Sequence, residues 1–273
     1  MKELIKSFFS FLKSVFKSED GKAPIIKPAP DQPDPNLPPP EIIDQEPEVV
    51  IIDPSLPTIG EVDRFVPDIS RYEPCDFSDF NGDDLIFKAT DGDSWVDPEF
   101  ARHLRECKAR GIKTGVYHFY RVGPDPIVQA KHFIKAVGLE NLKSMYYEPI
   151  LDYETVTNKK VGPIQLEPRM KADIPDAKIF LRYIYEQTGR KCMFYTYESL
   201  LKYLQLDNEF KNLCSRLWLA RYSRALPTYF KPWDKPFLYQ YSDGEWSSNP
   251  LWNDNFKGIG RCDANIFWDR IKE

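Results

Sequence analysis

Short apolar runs alternate with helical patterns from Asp63 onward, and this alternation is the strongest constraint on the fold. The runs of strand length are Phe65–Ser70, Leu85–Ala89, Thr114–Phe119, Tyr146–Glu154, Cys192–Thr196, Arg216–Ala220, Phe237–Tyr241 and Asp263–Phe267. The helical patterns include Pro98–Arg110, Pro126–Val137 and Asp176–Thr188, each followed by a glycine. Strand–helix alternation indicates a parallel sheet. About eight strands in such a segment predict an α/β barrel, with about five strand–helix units followed by strands that have little helix between them.

Two other compositions precede this segment. Residues 1–20 repeat large apolar side chains at helical spacing, with lysines and serines on the other side, which predicts a basic amphipathic helix. Residues 21–61 are rich in proline and acidic residues, a composition typical of a disordered, extended linker. The predicted organisation is therefore a helix over 1–20, a linker over 21–61 and a barrel domain over 62–273.

The amphipathic helix has more than one interpretation. Lysines and phenylalanines on opposite faces fit contact with a membrane surface through residues 2–18, or with a partner, but also docking on the chain's own domain. Lys13 interrupts the apolar stretch and no convincing small-residue cleavage site follows, so a poorly cleaved signal peptide is the weaker reading. No segment has the long uncharged apolar run of a membrane span.

Charge and cysteine content exclude several functional classes. The net charge of -5 argues against nucleic-acid binding, which leaves a basic footprint. The five cysteines are scattered without metal-ligand spacing, which indicates reduced, mostly buried thiols of a protein made in a cytoplasm. The three histidines are isolated, so neither a metal nor another cofactor is expected. Aromatic residues make up 14% of the chain, which suits a sugar-binding cleft but equally an ordinary core.

Two carboxylates stand one position apart in Leu151-Asp152-Tyr153-Glu154. Residues two apart on a strand share a face, so Asp152 and Glu154 are predicted to point the same way at the carboxyl end of a buried strand. Neighbouring carboxylates repel when both are ionised, which raises one pKa and prepares that group to donate a proton. Glycosidic cleavage uses such a pair. On spacing alone, a solvated strand end that carries two acids is an alternative.

Two further acids occupy equivalent places. Asp68 lies near the end of the first predicted strand, and Asp263 lies in the last one. The first and last strands of a closed barrel are neighbours, so Asp68 and Asp263 are expected to meet at the barrel mouth. Taken separately, the first could be a turn former and the second a strand-start cap. Together with Asp152 and Glu154 they predict a cluster of four acids.

These residues belong to motifs that resemble glycoside hydrolase family 25, the muramidases of many phage endolysins and bacterial autolysins. The matching motifs are Pro67-Asp68-Ile69-Ser70, Phe87–Pro98, Gly115-Val116-Tyr117-His118-Phe119, Pro149–Glu154, Leu217–Tyr222, Tyr239-Gln240-Tyr241-Ser242 and Asp263-Ala264-Asn265-Ile266-Phe267. Their order and spacing agree with the family from about Val62 to Phe267. Asp91 departs from it by standing where the family usually has Glu, and 155–175 is a long polar loop that could cover the cleft.

The resemblance implies a flattened barrel of five βα units followed by three strands. It also implies an N-acetylmuramidase that cleaves the β-1,4 bond after N-acetylmuramic acid in peptidoglycan. In this sequence Glu154 would be the general acid, and Asp152 would stabilise positive charge by holding the substrate's N-acetyl group. Asp68 and Asp263 would complete the acidic cluster. The enzyme would act at the cell wall, outside the cytoplasm, and a monomer is expected.

Other residues near strand ends are weaker candidates for contact with the glycan. Tyr117 is favoured over its neighbour His118, which faces the opposite way and is expected to pack in the core. Lys88 could face the acids as a structural cation or form a buried ion pair. The remaining substrate-binding candidates are Tyr195, Trp218 and Gln240. For Trp218 a place in the core is an equal alternative.

Two other functions compete with the muramidase. A phage-particle component could use the same barrel to hold peptidoglycan without cleaving it, although the presence of all four acids argues against this. A chitinase of another barrel family would need acids at positions 147 and 150, where Tyr147 and Ile150 stand.

Overall fold

The computed structural model describes residues 64–158, 162–245 and 252–271. The predicted helix over 1–20 and linker over 21–61 lie outside the described residues. Eight of the described strands form one closed barrel. They are β1 Phe65–Ile69, β2 Asp84–Asp91, β3 Lys113–Phe119, β4 Ile150–Asp152, β5 Cys192–Tyr197, β6 Cys214–Ala220, β7 Leu238–Asp243 and β8 Asp263–Phe267. Successive strands from β1 to β7 pair in parallel, and β8 closes the barrel by pairing antiparallel with β7 and β1.

Helices cover the outside of the middle strands. Their bounds are α1 Phe100–Arg110, α2 Pro126–Val137, α3 Leu139–Ser144, α4 Glu167–Ala172, α5 Ile174–Thr188, α6 Glu198–Leu204 and α7 Asn208–Leu213, with a 3-10 helix at Trp268–Arg270. Short strands outside the barrel are Trp95–Val96, which pairs antiparallel with the end of β2, and the hairpins Val156–Asn158 with Gly162–Gln165 and Asn255–Phe256 with Gly260–Arg261. The structure confirms the predicted α/β barrel. Residues 70–83, between β1 and β2, contain no helix.

Local sequence signals fix the ends of the long helices. The Asp125 carboxylate accepts hydrogen bonds from the backbone N–H groups of Ile127 and Val128, and Pro126 occupies the first turn of α2, where its missing N–H costs nothing. Helix α1 ends at Gly111, which adopts the left-handed conformation with φ of 68°. These signals explain why the predicted start of α2 and the predicted end of α1 agree with the structure.

Strand β4 is shorter than its sequence pattern. The prediction of a strand over Tyr146–Glu154 is wrong at both ends, because only Ile150–Asp152 joins the sheet. Pro149 has no backbone N–H to give to a ladder, so pairing begins after it. Glu154 therefore lies two residues beyond the strand, on the segment that leads into the hairpin.

The strands separate two apolar layers. Alternate side chains that point into the barrel, including Val66, Ile86, Ile150 and Met193, form a small inner core. Their neighbours along the same strands point outward and pack against the helices in a much larger outer core. An eight-stranded barrel is just wide enough to be filled by side chains, so the inner layer forms a floor beneath the mouth.

Three further predictions can be compared with the described residues. Cys75, Cys107, Cys192, Cys214 and Cys262 are all buried and unpaired. Among the helices that the structure describes, none combines the length and apolar character needed to cross a membrane. Over the same residues, no group of three or more His, Cys, Asp and Glu side chains is arranged to hold a metal ion.

Candidate active site

The barrel brings the four predicted acids to one end. Asp68 and Asp263 face each other directly in the register of β1 and β8. Asp152 is the last residue of β4, and Glu154 follows it at the same end. Because β8 runs antiparallel to the other strands, its first residue lies beside their carboxyl ends. All four acids line one small cavity of about 50 Å³ together with Tyr117, Tyr195 and Trp218.

Two buried amides hold the Asp68 carboxylate. Asn265 Nδ2 donates to Asp68 Oδ2 at 2.6 Å, and Gln240 Nε2 donates to the same oxygen at 2.9 Å. Gln240 Nε2 also reaches Asp263 Oδ2 at 3.3 Å. The amide of Gln240 thus bridges two of the four acids. Trp218 in turn donates its indole N–H to Asn265 Oδ1, which leaves the Asn265 nitrogen facing Asp68.

Two phenols fix the orientation of the Gln240 amide. The hydroxyls of Tyr195 and Tyr222 donate to Gln240 Oε1 at 2.7 and 2.6 Å. With both donors on its oxygen, the amide must present its nitrogen to the carboxylates. Such a connected buried network holds its members in one geometry more firmly than isolated pairs do.

Burial raises the pKa of every acid in the cluster. It brings the pKa of Glu154 to about 7, and Lys88 opposes the shift while Asp68 adds to it. Burial also raises the pKa of Asp68 to about 7, against the hydrogen bonds from Asn265 and Gln240. The pKa values of Asp152 and Asp263 are raised well above their usual range, first by burial and then by a neighbouring carboxylate. The cluster therefore retains protons near neutral pH, and its members share them.

Asp152 differs from Asp68 in its hydrogen bonds. It is 5% exposed, and among the described residues its Oδ1 has no hydrogen-bond partner. An unpartnered buried carboxyl oxygen is costly unless another group satisfies it. Asp152 therefore has an open position for a donor at the barrel mouth.

Gln165 holds the backbone of Glu154 in place. Its Nε2 donates to Glu154 O at 2.7 Å and to Tyr120 O at 3.3 Å, while its Oε1 accepts from the N–H of Val122 at 2.9 Å. Gln165 is 3% exposed and ends the hairpin that follows Glu154. Because Glu154 lies outside the sheet, the hydrogen bond from Gln165 fixes its backbone, as strand pairing fixes the backbone of Asp152.

A large aromatic cleft of about 620 Å³ opens beside the acids. Glu154 and Tyr195 line both this cleft and the small acidic cavity. The rings of Tyr197, Tyr222 and Tyr229 also line the cleft. Flat rings offer the apolar surface on which the face of a sugar ring packs.

Lys88 lies beside the acids in a second cleft of about 370 Å³. Its ammonium group pairs with Asp91 Oδ2 at 3.1 Å, and Arg121 binds both oxygens of Asp91 at 2.6 and 2.8 Å. The pairing fits the predicted ion pair, and the ammonium also opposes the raised pKa values of Asp152 and Glu154, as a cation near the acids does.

The strand periodicity places Tyr117 and His118 on opposite faces. Tyr117 lines the acidic cavity. His118 is fully buried outside the barrel, where its ring stacks on Phe180 at 5.0 Å and its Nδ1 lies 2.8 Å from Thr90 Oγ1. Trp218 is 2% exposed and belongs to the inner core, where it also lies at the wall of the acidic cavity. Its contact with glycan stays a prediction.

Sequence reasoning missed several residues of the site. Asn265 is two positions from Asp263 on β8, so the alternation that selected the acids could have selected it as well. Tyr222 and Arg121 follow β6 and β3 closely, at the end of the barrel where the acids lie. Nothing in the sequence marks Gln165, whose role depends on a hairpin fold.

Comparison with known proteins identifies the family of this chain. The model of Glycosyl hydrolases family 25 matches residues 68–249. The autolytic lysozyme of Clostridium acetobutylicum is 28% identical over 161 residues, which are 58% of this chain and 43% of that protein. The chain thus spans less than half the length of this curated relative.

Solved structures share the fold. The bacterial lysozyme from Streptomyces coelicolor superposes with a TM-score of 0.61 at 21% identity, over 77% of this chain and 94% of that one. The muramidase from Trichobolus zukalii gives a TM-score of 0.58 at 24% identity, over 76% of this chain and 96% of that one. At these identities the likeness establishes the barrel architecture.

Proposed function

Because the chain belongs to family 25 of the glycosyl hydrolases, we propose that it is a peptidoglycan hydrolase. More specifically, we propose an N-acetylmuramidase that cleaves the β-1,4 bond between N-acetylmuramic acid and N-acetylglucosamine. Its site of action would be the cell wall. Contact of residues 2–18 with a membrane surface and a monomeric state stay predictions.

The position of Glu154 is the observation that carries this proposal. Glu154 lines both the acidic cavity and the aromatic cleft, so it reaches the place where a bound glycan would meet the acids. With a pKa of about 7, the Glu154 carboxyl group holds a proton in a substantial fraction of the molecules at neutral pH. General acid catalysis of glycosidic cleavage requires both properties.

The second carboxyl group supplies the complementary role. As bond cleavage begins, positive charge develops on the sugar ring, and Asp152 would stabilise it. The open Oδ1 of Asp152 would accept the N–H of the substrate's N-acetyl group. That hydrogen bond favours the ionised form of Asp152 and so leaves the shared proton on Glu154, where the leaving oxygen needs it.

The remaining candidates would shape the site around this pair. Asp68 and Asp263, held by Gln240, would tune the pKa of Glu154 from beneath the sugar ring. Tyr117 and Tyr195 line the cavity and would contact the sugar from its sides. Trp218 would act through Asn265, which accepts the hydrogen bond from its indole N–H. Lys88 would partly offset the raised pKa of Glu154.

Replacing Glu154 tests the proposal most directly. We expect Glu154→Gln to lower the release of reducing ends from purified peptidoglycan by about 10²–10⁴-fold, because the isosteric amide cannot donate a carboxyl proton. Mass spectrometry of borohydride-reduced fragments from the unaltered protein should show reduced muramic acid at the new ends. Reduced glucosamine at those ends would reject the proposed bond.

A surface carboxylate provides the matched control. Glu140 is 84% exposed on α3, so Glu140→Gln removes the same group and should leave turnover unchanged. Wild-type turnover in Glu154→Gln would show that another residue is the acid. If the unaltered protein pelleted with peptidoglycan yet released no reducing ends, the protein would be a non-catalytic binding component.

A further inference from the structure

We infer that the cleft lined by Arg71, Lys88 and Arg121, called here the basic cleft, binds a carboxylate group carried by the glycan. This inference rests on the proposed function, because it names the part of a peptidoglycan substrate that would occupy the space beside the acids. The basic cleft measures about 370 Å³, which is enough for a substituent of a sugar but not for a long glycan.

The charge of the basic cleft contrasts with that of the whole chain. Its walls carry three cations, at Arg71, Lys88 and Arg121, and two carboxylates, at Asp91 and Asp97, which leaves one positive charge. The chain as a whole has a net charge of -5. The basic cleft is therefore positive, whereas the chain as a whole is negative and four acids lie beside the cleft. A local excess of positive charge favours an anionic ligand.

The two carboxylates of the basic cleft are already engaged. Asp91 is shared by Lys88 and Arg121, so a single anion serves two cations. The Asp97 carboxylate accepts hydrogen bonds from the backbone N–H groups of Arg71, at 3.1 Å, and Glu99, at 2.9 Å. Lys88 and Arg121 each carry several donors, and one carboxylate has too few lone pairs for all of them.

Aromatic rings hold the cations in position. The guanidinium of Arg71 lies 5.4 Å from the ring centre of Trp95, and Lys88 Nζ lies 5.5 Å from the same centre. Phe119 contacts Lys88 Nζ and the Arg121 guanidinium at 4.4 and 4.6 Å. Cation–π contacts of this kind place the charges before a ligand arrives, which lowers the entropy lost on binding.

The acidic cluster explains why such a cleft is useful. Asp68, Asp152, Glu154 and Asp263 repel an anionic substrate, and muramic acid carries a lactyl ether that ends in a carboxyl group. That carboxyl group is either free or amide-linked to a peptide, whose own carboxylates then extend further from the sugar. In both cases a carboxylate lies to one side of the sugar ring, where the basic cleft would offset the repulsion.

The test uses Arg71→Gln and three glycan substrates. Arg71 is exposed and its guanidinium binds the hydroxyl of Tyr72 at 2.7 Å, so the substitution should not disturb folding or the acids. The substrates are peptide-bearing peptidoglycan, amidase-stripped glycan with free lactyl carboxylates, and stripped glycan whose carboxylates are converted to neutral methylamides. The control is Arg105→Gln, which removes an arginine that is 67% exposed on α1.

We expect Arg71→Gln to raise KM by about five- to tenfold on at least one anionic substrate, with kcat unchanged, because it removes binding that is equal in ground and transition states. On the methylamide glycan KM should stay unchanged, and Arg105→Gln should have no effect on any substrate. A rise confined to stripped glycan assigns the lactyl carboxylate, and a rise confined to peptide-bearing material assigns the peptide.

Two results would overturn the inference. One is an unchanged KM on both anionic substrates, and the other is an equal rise on the methylamide glycan. Failure of the proposed function would look different, because the unaltered protein would then cleave none of the three substrates. In that event pelleting with the three glycans still tests the basic cleft, since Arg71→Gln should weaken binding to at least one anionic glycan and leave binding to the methylamide glycan unchanged.

Discussion

Phe194 and Tyr195 are neighbours on β5, yet they belong to different parts of the molecule. Phe194 points outward, where its ring stacks on Trp233 at 5.7 Å and meets Phe210 edge to face at 4.9 Å. Tyr195 points into the barrel, where its hydroxyl donates to Gln240 at the wall of the acidic cavity. One peptide bond therefore separates a packing residue from a residue of the candidate active site.

The same division follows the other strands and teaches how the barrel separates stability from chemistry. The outward layer consists mainly of buried apolar side chains, so it gains from burial with little cost in charge. The inward layer is apolar only at its floor and carries four acids with raised pKa values at its mouth. Mutations on the two faces should therefore affect different measurements.

The largest effect is expected on the outward face. Phe194→Ala should lower the free energy of unfolding by about 3–5 kcal/mol, because it leaves a cavity among rings that cannot fully collapse. Urea denaturation followed by fluorescence would measure this. The rate of glycan cleavage per folded molecule should stay near that of the wild type. A selective loss of rate with unchanged stability would contradict the division between the faces.

A slightly smaller effect, of the opposite kind, is expected on the inward face. Asp152→Asn should lower kcat by about 10²–10³-fold, because a neutral amide stabilises developing positive charge poorly. The free energy of unfolding should not fall, since Asp152 Oδ1 has no hydrogen bond to lose among the described residues and the amide stays neutral when buried. Steady-state kinetics and urea denaturation on one preparation would separate the two effects. An unfolding loss as large as that of Phe194→Ala would assign Asp152 a structural role.

Period-two alternation made much of this division predictable from sequence. It indicated the face on which Asp152 lies and separated Tyr117 from His118, because side chains on a regular strand must alternate. Closure of the barrel brought Asp68 and Asp263 together, because its first and last strands are neighbours. The ends of the long helices were predictable for a different reason, since each is followed by a glycine. The family resemblance then gave the order of the strands around the barrel.

The unpredicted parts depend on contacts between segments far apart in sequence. Glu154 was expected inside a strand, but β4 ends at Asp152 and the backbone of Glu154 is held by Gln165 from the hairpin. No local pattern reports which backbone carbonyl a distant glutamine will meet. The joint use of Asp91 by Lys88 and Arg121 likewise depends on the pairing of β2 with β3.

The smallest effects are expected in the dependence of stability on pH, where the two faces should show opposite signs. Burial raises the pKa of Asp152 in the folded protein, so the folded state keeps a proton that the unfolded chain releases above about pH 4. This inward group therefore lowers stability as pH rises. Burial lowers the pKa of His118 to about 3, so the unfolded chain binds the extra proton between pH 3 and about 6.5. This outward group therefore raises stability as pH rises.

Difference curves separate the two contributions, because titrating groups that do not interact with the replaced residue cancel between variant and wild type. The Asp152→Asn curve reports Asp152 together with the acids that share its protons. Between pH 4.5 and 6.5, Asp152→Asn should become more stable relative to the wild type as pH rises, and His118→Gln should become less stable. Urea denaturation at half-unit intervals of pH would give both slopes. Parallel curves for the two variants would contradict the expected opposite signs. The inward and outward groups would then share one electrostatic environment, and the two faces would differ only in how their side chains pack.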